Sequence, residues 1–210
     1  MTPPGGSIRY LALGDSYTVG TGLEQESENF PSVLARRLTK ELGIPVNVRN
    51  LGVNGYTTAD LIREELPVAR GATPELVTVL IGANDVVQGV DDATYRRRLA
   101  EIYDTVARLA AKSVVAISIP DFSALPGAAP FGTPEGLRQR ISGFNDLARQ
   151  AAAGRDFQFV DVTAISRASG QGGHWFAADQ LHPGPAQHRA FADKVWDAVG
   201  AQWRMVRGGR

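Results

Sequence analysis

Apolar residues recur along this chain in two rhythms. Five short runs, rich in β-branched side chains and closed by breakers, predict strands: Ile8 to Leu13 before Gly14, Val46 to Asn50 before Gly52, Leu76 to Ile81 before Gly82, Val114 to Ile119 before Pro120, and Phe157 to Val162. Longer segments with helical spacing follow them: about Phe30 to Leu42 with Gly43 as its stop, Thr58 to Arg70, Asp92 to Lys112, Pro134 to Ala153, and Pro185 to about Val206. Strand and helix thus alternate five times. That order predicts an α/β protein, parallel strands joined by helical crossovers with helices on both faces of the sheet. The near-continuous apolar run Leu76 to Ile81 predicts a central strand. Ligands of such sheets bind beyond the carboxyl ends of the strands, so the polar residues just after each strand are where chemistry is expected. Residues 1–210 show no repeat, low-complexity stretch or linker and predict a single domain. The long breaker-rich loops are Pro120 to Thr133 and Thr163 to Gly184.

Composition narrows the range of functions. Lys plus Arg number 22 and Asp plus Glu number 22, so the formal charge cancels and no basic field exists to hold nucleic acid. The chain has no cysteine, which rules out disulfides, zinc-thiolate sites and a thiol nucleophile. No run approaches the ~18 apolar residues of a transmembrane helix. The first seven residues carry no basic side chain, and Tyr10 to Leu13 is too short for a signal-peptide core. The expectation is a soluble, cytoplasmic protein.

The first strand runs directly into Gly14-Asp15-Ser16-Tyr17-Thr18-Val19-Gly20, which places a hydroxyl on a glycine-flexed turn at the sheet edge. Ser16 there can be a nucleophile or simply a helix cap. The turn lacks both the Gly-x-Gly-x-x-Gly and the Gly-Lys-Ser/Thr fingerprints, so a nucleotide is not expected. A nucleophilic serine needs a base, and of His174, His182 and His188 only His182 has a carboxylate, Asp179, three residues before it. His188 falls within the last helix, where an exposed or packing role is the simpler reading. His174 sits beside Trp175 and Phe176, at a pocket rim or in aromatic packing. Donors for an oxyanion can come from two further strand ends, Asn50-Leu51-Gly52-Val53-Asn54-Gly55 and Gly82-Ala83-Asn84-Asp85. Phe122, with Leu125, Pro126 and Phe131, can line an apolar slot, and Phe122 and Trp175 are the candidates for substrate contact.

These motifs, in this order, resemble the SGNH hydrolases, also called GDSL esterases or lipases. Gly14-Asp15-Ser16, Asn50-x-Gly52-x-x-Gly55, Gly82-x-Asn84-Asp85 and Asp179-x-x-His182-Pro183 match four of the family's blocks and span nearly the whole chain. The resemblance implies a three-layer α/β/α sandwich of flavodoxin-like type. It also implies Ser16 as nucleophile, a triad completed by Asp179 and His182, and an oxyanion hole of the Ser16 N–H, the Gly52 N–H and the Asn84 amide. No cofactor or metal is implied, and the partner is a small ester. Tyr17 stands where the plainest family pattern has leucine. The Gly-x-Ser-x-Gly elbow of the commoner lipase fold is absent. Asp15 and Asp85 are expected to hold turns by bonding backbone.

The leading expectation is a serine ester hydrolase that handles short acyl groups through an acyl-enzyme. An acyltransferase or transesterase would use the same site and differ in preferring a hydroxyl acceptor to water. A metal-dependent hydrolase built on His174, Asp179 and His182 would leave Ser16, Gly52 and Asn84 without a task. A non-catalytic binding module would leave all of them idle.

Overall fold

Strand β1 (Ile8–Gly14) lies between β2 (Val46–Asn50) and β3 (Leu76–Leu80), with β4 (Ser113–Ile117) and β5 (Gln158–Val160) beyond. The order is β2-β1-β3-β4-β5 and every pairing is parallel. The computed structural model describes residues 6–168 and 174–208. This is the doubly wound arrangement with its switch point at β1, where the chain turns to β2 on one side and to β3 on the other. Every residue of β3 is buried, as its apolar run predicts. Inside the sheet the Tyr10 and Thr78 hydroxyls share a hydrogen bond of 2.9 Å, which satisfies two polar groups that burial would otherwise penalise.

The helices form where caps and periodicity agree. In chain order they are α1 (Ser16–Val19), α2 (Phe30–Leu42), α3 (Thr58–Asp60), α4 (Leu66–Arg70), α5 (Ala83–Val87), α6 (Asp92–Ala107), α7 (Pro134–Ala153), α8 (Thr163–Arg167) and α9 (Pro185–Gly208). Asn29 caps α2 through the Ser32 N–H, and Gly43 closes it at φ 66°. Asp91 caps α6 and Thr133 caps α7 in the same way. Helix α2 packs on α9 along one face of the sheet, and α6 packs on α7 and α4 along the other. The result is the three-layer α/β/α sandwich that the alternation and the resemblance predict.

Two departures have local causes. The predicted helix Thr58 to Arg70 is broken by a π-helical turn, Leu61–Glu65, between α3 and α4. Pro67 has no N–H to return to the carbonyl four residues back, and the Leu66 N–H reaches to the Leu61 carbonyl, five residues away. The helix predicted to Lys112 stops at Ala107, and Ala110 takes a left-handed φ of 52° in the turn to β4. No glycine or proline marks that stop, so periodicity alone overran it.

The nucleophile turn is fixed by close approach. Gly14 has φ 148°, and a Cβ built on it would lie 2.0 Å from the Leu80 carbonyl oxygen. Only glycine lets the end of β1 lie this near β3. Gly14→Ala combines overpacking with backbone strain, for an expected cost of about 3 kcal/mol or more. In a chain of this size that lowers Tm by roughly 6–12 °C, which a thermal melt would register.

Candidate active site

Three strand ends and the loop before α9 meet above the switch point. Ser16 opens α1, Gly52 and Asn54 lie on the loop after β2, Asn84 sits on α5 after β3, and His182 comes from the loop before α9. Ser16, Tyr17, Asn84 and His182 line one cleft of about 170 Å³, closed by Ala83, Val87, Phe122, Phe131 and Leu181 with Asn54 at its edge. The lining is therefore largely apolar, with Ser16, Asn54, Asn84 and His182 among its polar groups. Ser16 is 5% exposed.

The Asp179–His182 segment is a turn that builds its own contacts. Asp179 Oδ1 accepts the Leu181 N–H at 2.9 Å and the His182 N–H at 3.0 Å, while Oδ2 lies 2.5 Å from His182 Nδ1. Burial acts to raise the Asp179 carboxyl, but these hydrogen bonds outweigh it and hold the group below the ordinary carboxylate range. An ionised carboxylate only accepts, so Nδ1 carries the proton and Nε2 is left as the acceptor. The arrangement can therefore take a proton at Nε2 and stabilise the imidazolium that results. No hydrogen bond joins the Ser16 hydroxyl to this imidazole among the described residues; the two stand as walls of one cleft. Catalytic hydrogen bonds commonly close only when substrate is bound.

A short 3₁₀ turn, Pro126–Phe131, leans on this segment. The Gly127 N–H donates to the Gln180 carbonyl at 3.2 Å, and a Cβ on Gly127 would come within 2.7 Å of the Asp179 carbonyl oxygen. The loop that supplies Phe122 and Phe131 thus also braces the histidine turn.

The oxyanion candidates separate. Asn84 Nδ2 donates to the Tyr56 carbonyl at 2.9 Å, which fixes the amide plane and leaves its second N–H for the cleft. Gly52 is engaged within its own loop. Its N–H donates to Asn50 Oδ1 at 3.0 Å, and Gly52 does not line the cleft. Asn50 Nδ2 in turn donates to the Thr18 carbonyl at 2.9 Å, so Asn50 ties the β2 loop to α1. Gly52 is therefore satisfied within its own loop, while Ser16 and Asn84 both line the cleft.

Trp175 also departs from expectation: it is half-buried away from the cleft and does not line it. Its backbone carbonyl accepts the Gly184 N–H at 2.8 Å, which ties it to the chain just after His182. Phe122 does line the cleft and is buried. Phe131 joins it, whereas Leu125 and Pro126 do not; Val87, Leu181 and Asn54 take part instead. His174 is exposed and faces a separate hollow with Glu24, Glu28 and Phe176, so it does not gather with Asp179 and His182 into a metal-ligand set. Part of that loop, residues 169–173, lies outside the described residues.

His188 takes the packing role. It is fully buried, its Nδ1 accepts the Phe30 N–H at 3.2 Å, and burial, helped by the charge of His182, pulls its pKa down to about 3. It stays neutral and is not a base for Ser16.

Two motif carboxyls hold turns as expected. Asp15 Oδ1 accepts the Tyr17 N–H at 3.0 Å and caps α1. Asp85 accepts from the Thr58 N–H at 2.8 Å and from the Thr58 hydroxyl, with Arg98 at 3.4 Å, and so links α5 to α3. Burial raises both carboxyls, Asp15 to about 7, where the Tyr17 N–H opposes the rise and Asp85 adds to it. Tyr17 is buried against His182 with ring centroids 5.9 Å apart, and burial together with Asp15, Asp179 and Asp121 keeps its phenol protonated.

The fold and cleft define a doubly wound α/β protein with a largely apolar cleft, holding a serine, an asparagine and a histidine, at the switch point of the sheet. The GDSL-like lipase/acylhydrolase family model matches residues 12–190. The chain belongs to that family and is a carboxylic ester hydrolase of the GDSL type. Among curated proteins it is similar to esterase TesA of Pseudomonas aeruginosa, 25% identical across 90% of this chain and 86% of the relative. A lipase of Streptomyces rimosus is 26% identical across 73% of this chain and 69% of the relative. Among solved structures, LAE5, an alpha/beta hydrolase enzyme from the metagenome of Lake Arreo, Spain, superposes with a TM-score of 0.74 at 23% identity over 93% of this chain and 96% of that one.

Proposed function

We propose that this chain hydrolyses small carboxylic esters through an acyl-enzyme on Ser16. The observation that carries the reading is the shared cleft, where Ser16, Asn84 and His182 converge and Asp179 fixes the tautomer of His182. In the first half-reaction Nε2 of His182 takes the Ser16 proton as Oγ attacks the ester carbonyl. Negative charge grows on the carbonyl oxygen toward the Ser16 N–H and the Asn84 amide, and the imidazolium then protonates the departing alcohol. Water repeats the sequence on the acyl-enzyme. Two relatives bear the names lipase and esterase, which accords with this chemistry.

The cleft argues for a compact acyl group. At about 170 Å³ it is smaller than the ~300–1,000 Å³ of pockets that enclose drug-sized ligands. Each methylene that finds apolar wall adds ~0.8 kcal/mol, so a deep acyl channel would make kcat/KM climb steadily with chain length. Measured on p-nitrophenyl esters from acetate to palmitate, kcat/KM should level off or fall after the first few carbons. A maximum at about ten carbons or longer would show a deeper acyl site than Phe122, Phe131, Val87 and Leu181 enclose. Activity should also survive dialysis against a chelator, because every assigned step uses a hydroxyl, an imidazole, a carboxylate or an N–H.

A further inference from the structure

Behind the nucleophile turn lies a carboxyl that the steps above do not use. Glu65 ends the π-helical turn and is 2% exposed. Its Oε2 accepts the Gly14 N–H at 2.9 Å, and its Oε1 has no hydrogen-bond partner among the described residues. Gly14 is the residue pressed against Leu80, two positions before Ser16. A buried carboxylate held by a single backbone donor is costly, whereas the neutral acid keeps an acceptor for Gly14 at far smaller cost. Burial accordingly pushes Glu65 up to about 8, the Gly14 N–H pulling it down and the charge of Asp15 adding to the rise.

We propose that Glu65 is a positioning residue for the hydrolysis: through the Gly14 N–H it fixes the turn that carries the Ser16 hydroxyl and N–H, and it keeps a second negative charge, besides that of Asp15, out of the protein behind that turn while the oxyanion forms. The proposal rests on Ser16 being the nucleophile. It explains why an acid, and not an apolar side chain, occupies a site where one of its oxygens goes unbonded. The π turn, induced beside Pro67, is where Glu65 leaves the solvent side shared by Arg63 and Glu64 and enters the interior.

The surroundings isolate Glu65 electrostatically. Asp15, from the β1–α1 turn, is the charged group that acts on it. On the other elements packed against the π turn, Asp60 of α3 is bound by Thr57 and Arg63, Arg70 of α4 is exposed, and Arg98 of α6 pairs with Asp85. Tyr95 of α6 donates to the Ile81 carbonyl and is kept protonated by burial. Ionisation of Glu65 would therefore place an uncompensated charge behind the developing oxyanion.

The test compares wild type with Glu65→Gln and Glu65→Leu on p-nitrophenyl acetate from about pH 6 to about pH 10, with active sites counted by organophosphate labelling of Ser16. Glu65→Gln keeps an acceptor for Gly14 and cannot ionise, so its kcat near neutrality should stay within about three-fold of wild type. Wild-type kcat should fall ~10-fold as pH rises through about 8, and the fall should be absent in Glu65→Gln. Asp15 titrates in both proteins and cannot produce that difference. Glu65→Leu should lose ~30-fold in kcat with KM within about three-fold, because the turn is displaced and the substrate walls are not. An alkaline fall of equal size in Glu65→Gln, a flat wild-type profile, or a folded Glu65→Leu with wild-type kcat would each overturn the proposal. If Glu65→Leu fails to fold, the comparison of wild type with Glu65→Gln decides alone. Failure of wild-type Ser16 to label would instead overturn the nucleophile assignment, a separate result.

Discussion

Ser16→Ala is expected to reduce the hydrolysis of p-nitrophenyl acetate by ~10⁴-fold or more, the scale of loss when a nucleophile that acts as a unit with its base is removed. The residue is small and its backbone is held independently, by the Asp15 cap on α1 and by Gly14 against Leu80, so the variant should fold and melt close to wild type. Because Asn84, His182 and the apolar walls remain, ester should still enter the cleft. In the wild type an organophosphate or sulfonyl fluoride should attach to Ser16 alone, and peptide mapping locates the adduct. Of the chain's serines, Ser16 shares its cleft with an imidazole whose Nδ1 is fixed by a carboxylate. An adduct on another residue, or undiminished labelling of Ser16→Ala, would show that the cleft does not activate this hydroxyl. Residual turnover in Ser16→Ala would report what the donors and the walls contribute without covalent chemistry.

The fold was legible because the signals that set it are local. Strand runs end at Gly14, Gly82 and Pro120, helices begin at Asn29, Asp91 and Thr133, and each of these residues carries its backbone consequence with it. The strand-end motifs converge because a doubly wound sheet brings its carboxyl edges together, so Ser16 and Asn84 could be read as neighbours from topology, and His182 from the carboxylate three residues before it and the family resemblance. What escaped were relations that no spacing encodes. Asn50 takes the Gly52 N–H within its own turn, a competition between side chain and ligand that the motif alone does not display. Trp175, close to His182 in sequence, does not line the cleft, and Leu181 does. Glu65 follows Arg63 and Glu64 and reads as one more solvent-facing charge; the proline two residues later was the available sign that the helical register slips there. Such displacements of a single turn decide which side chains reach a site, and they depend on packing between elements distant in sequence.

Asn84→Ala should lower kcat by ~10²–10³, about 3–4 kcal/mol, and leave KM within a few-fold. The amide is fixed before substrate arrives, since one N–H is bound to the Tyr56 carbonyl at 2.9 Å and α5 is anchored by Asp85 on Thr58. A donor fixed in this way needs no reorganisation when charge develops on the carbonyl oxygen, and it gains most when that charge is largest. With the Gly52 N–H engaged by Asn50, fewer donors share the oxyanion with Asn84, so its loss should fall well within that range. Asn84→Asp provides the sharper contrast. It preserves the shape but replaces the donor with an ionisable acceptor facing the developing negative charge, and it should be slower than Asn84→Ala at neutral pH. A rise in KM with kcat within a few-fold of wild type would place Asn84 on the ground-state substrate instead. Equal rates for the alanine and aspartate variants would mean that the amide does not face the oxyanion at all.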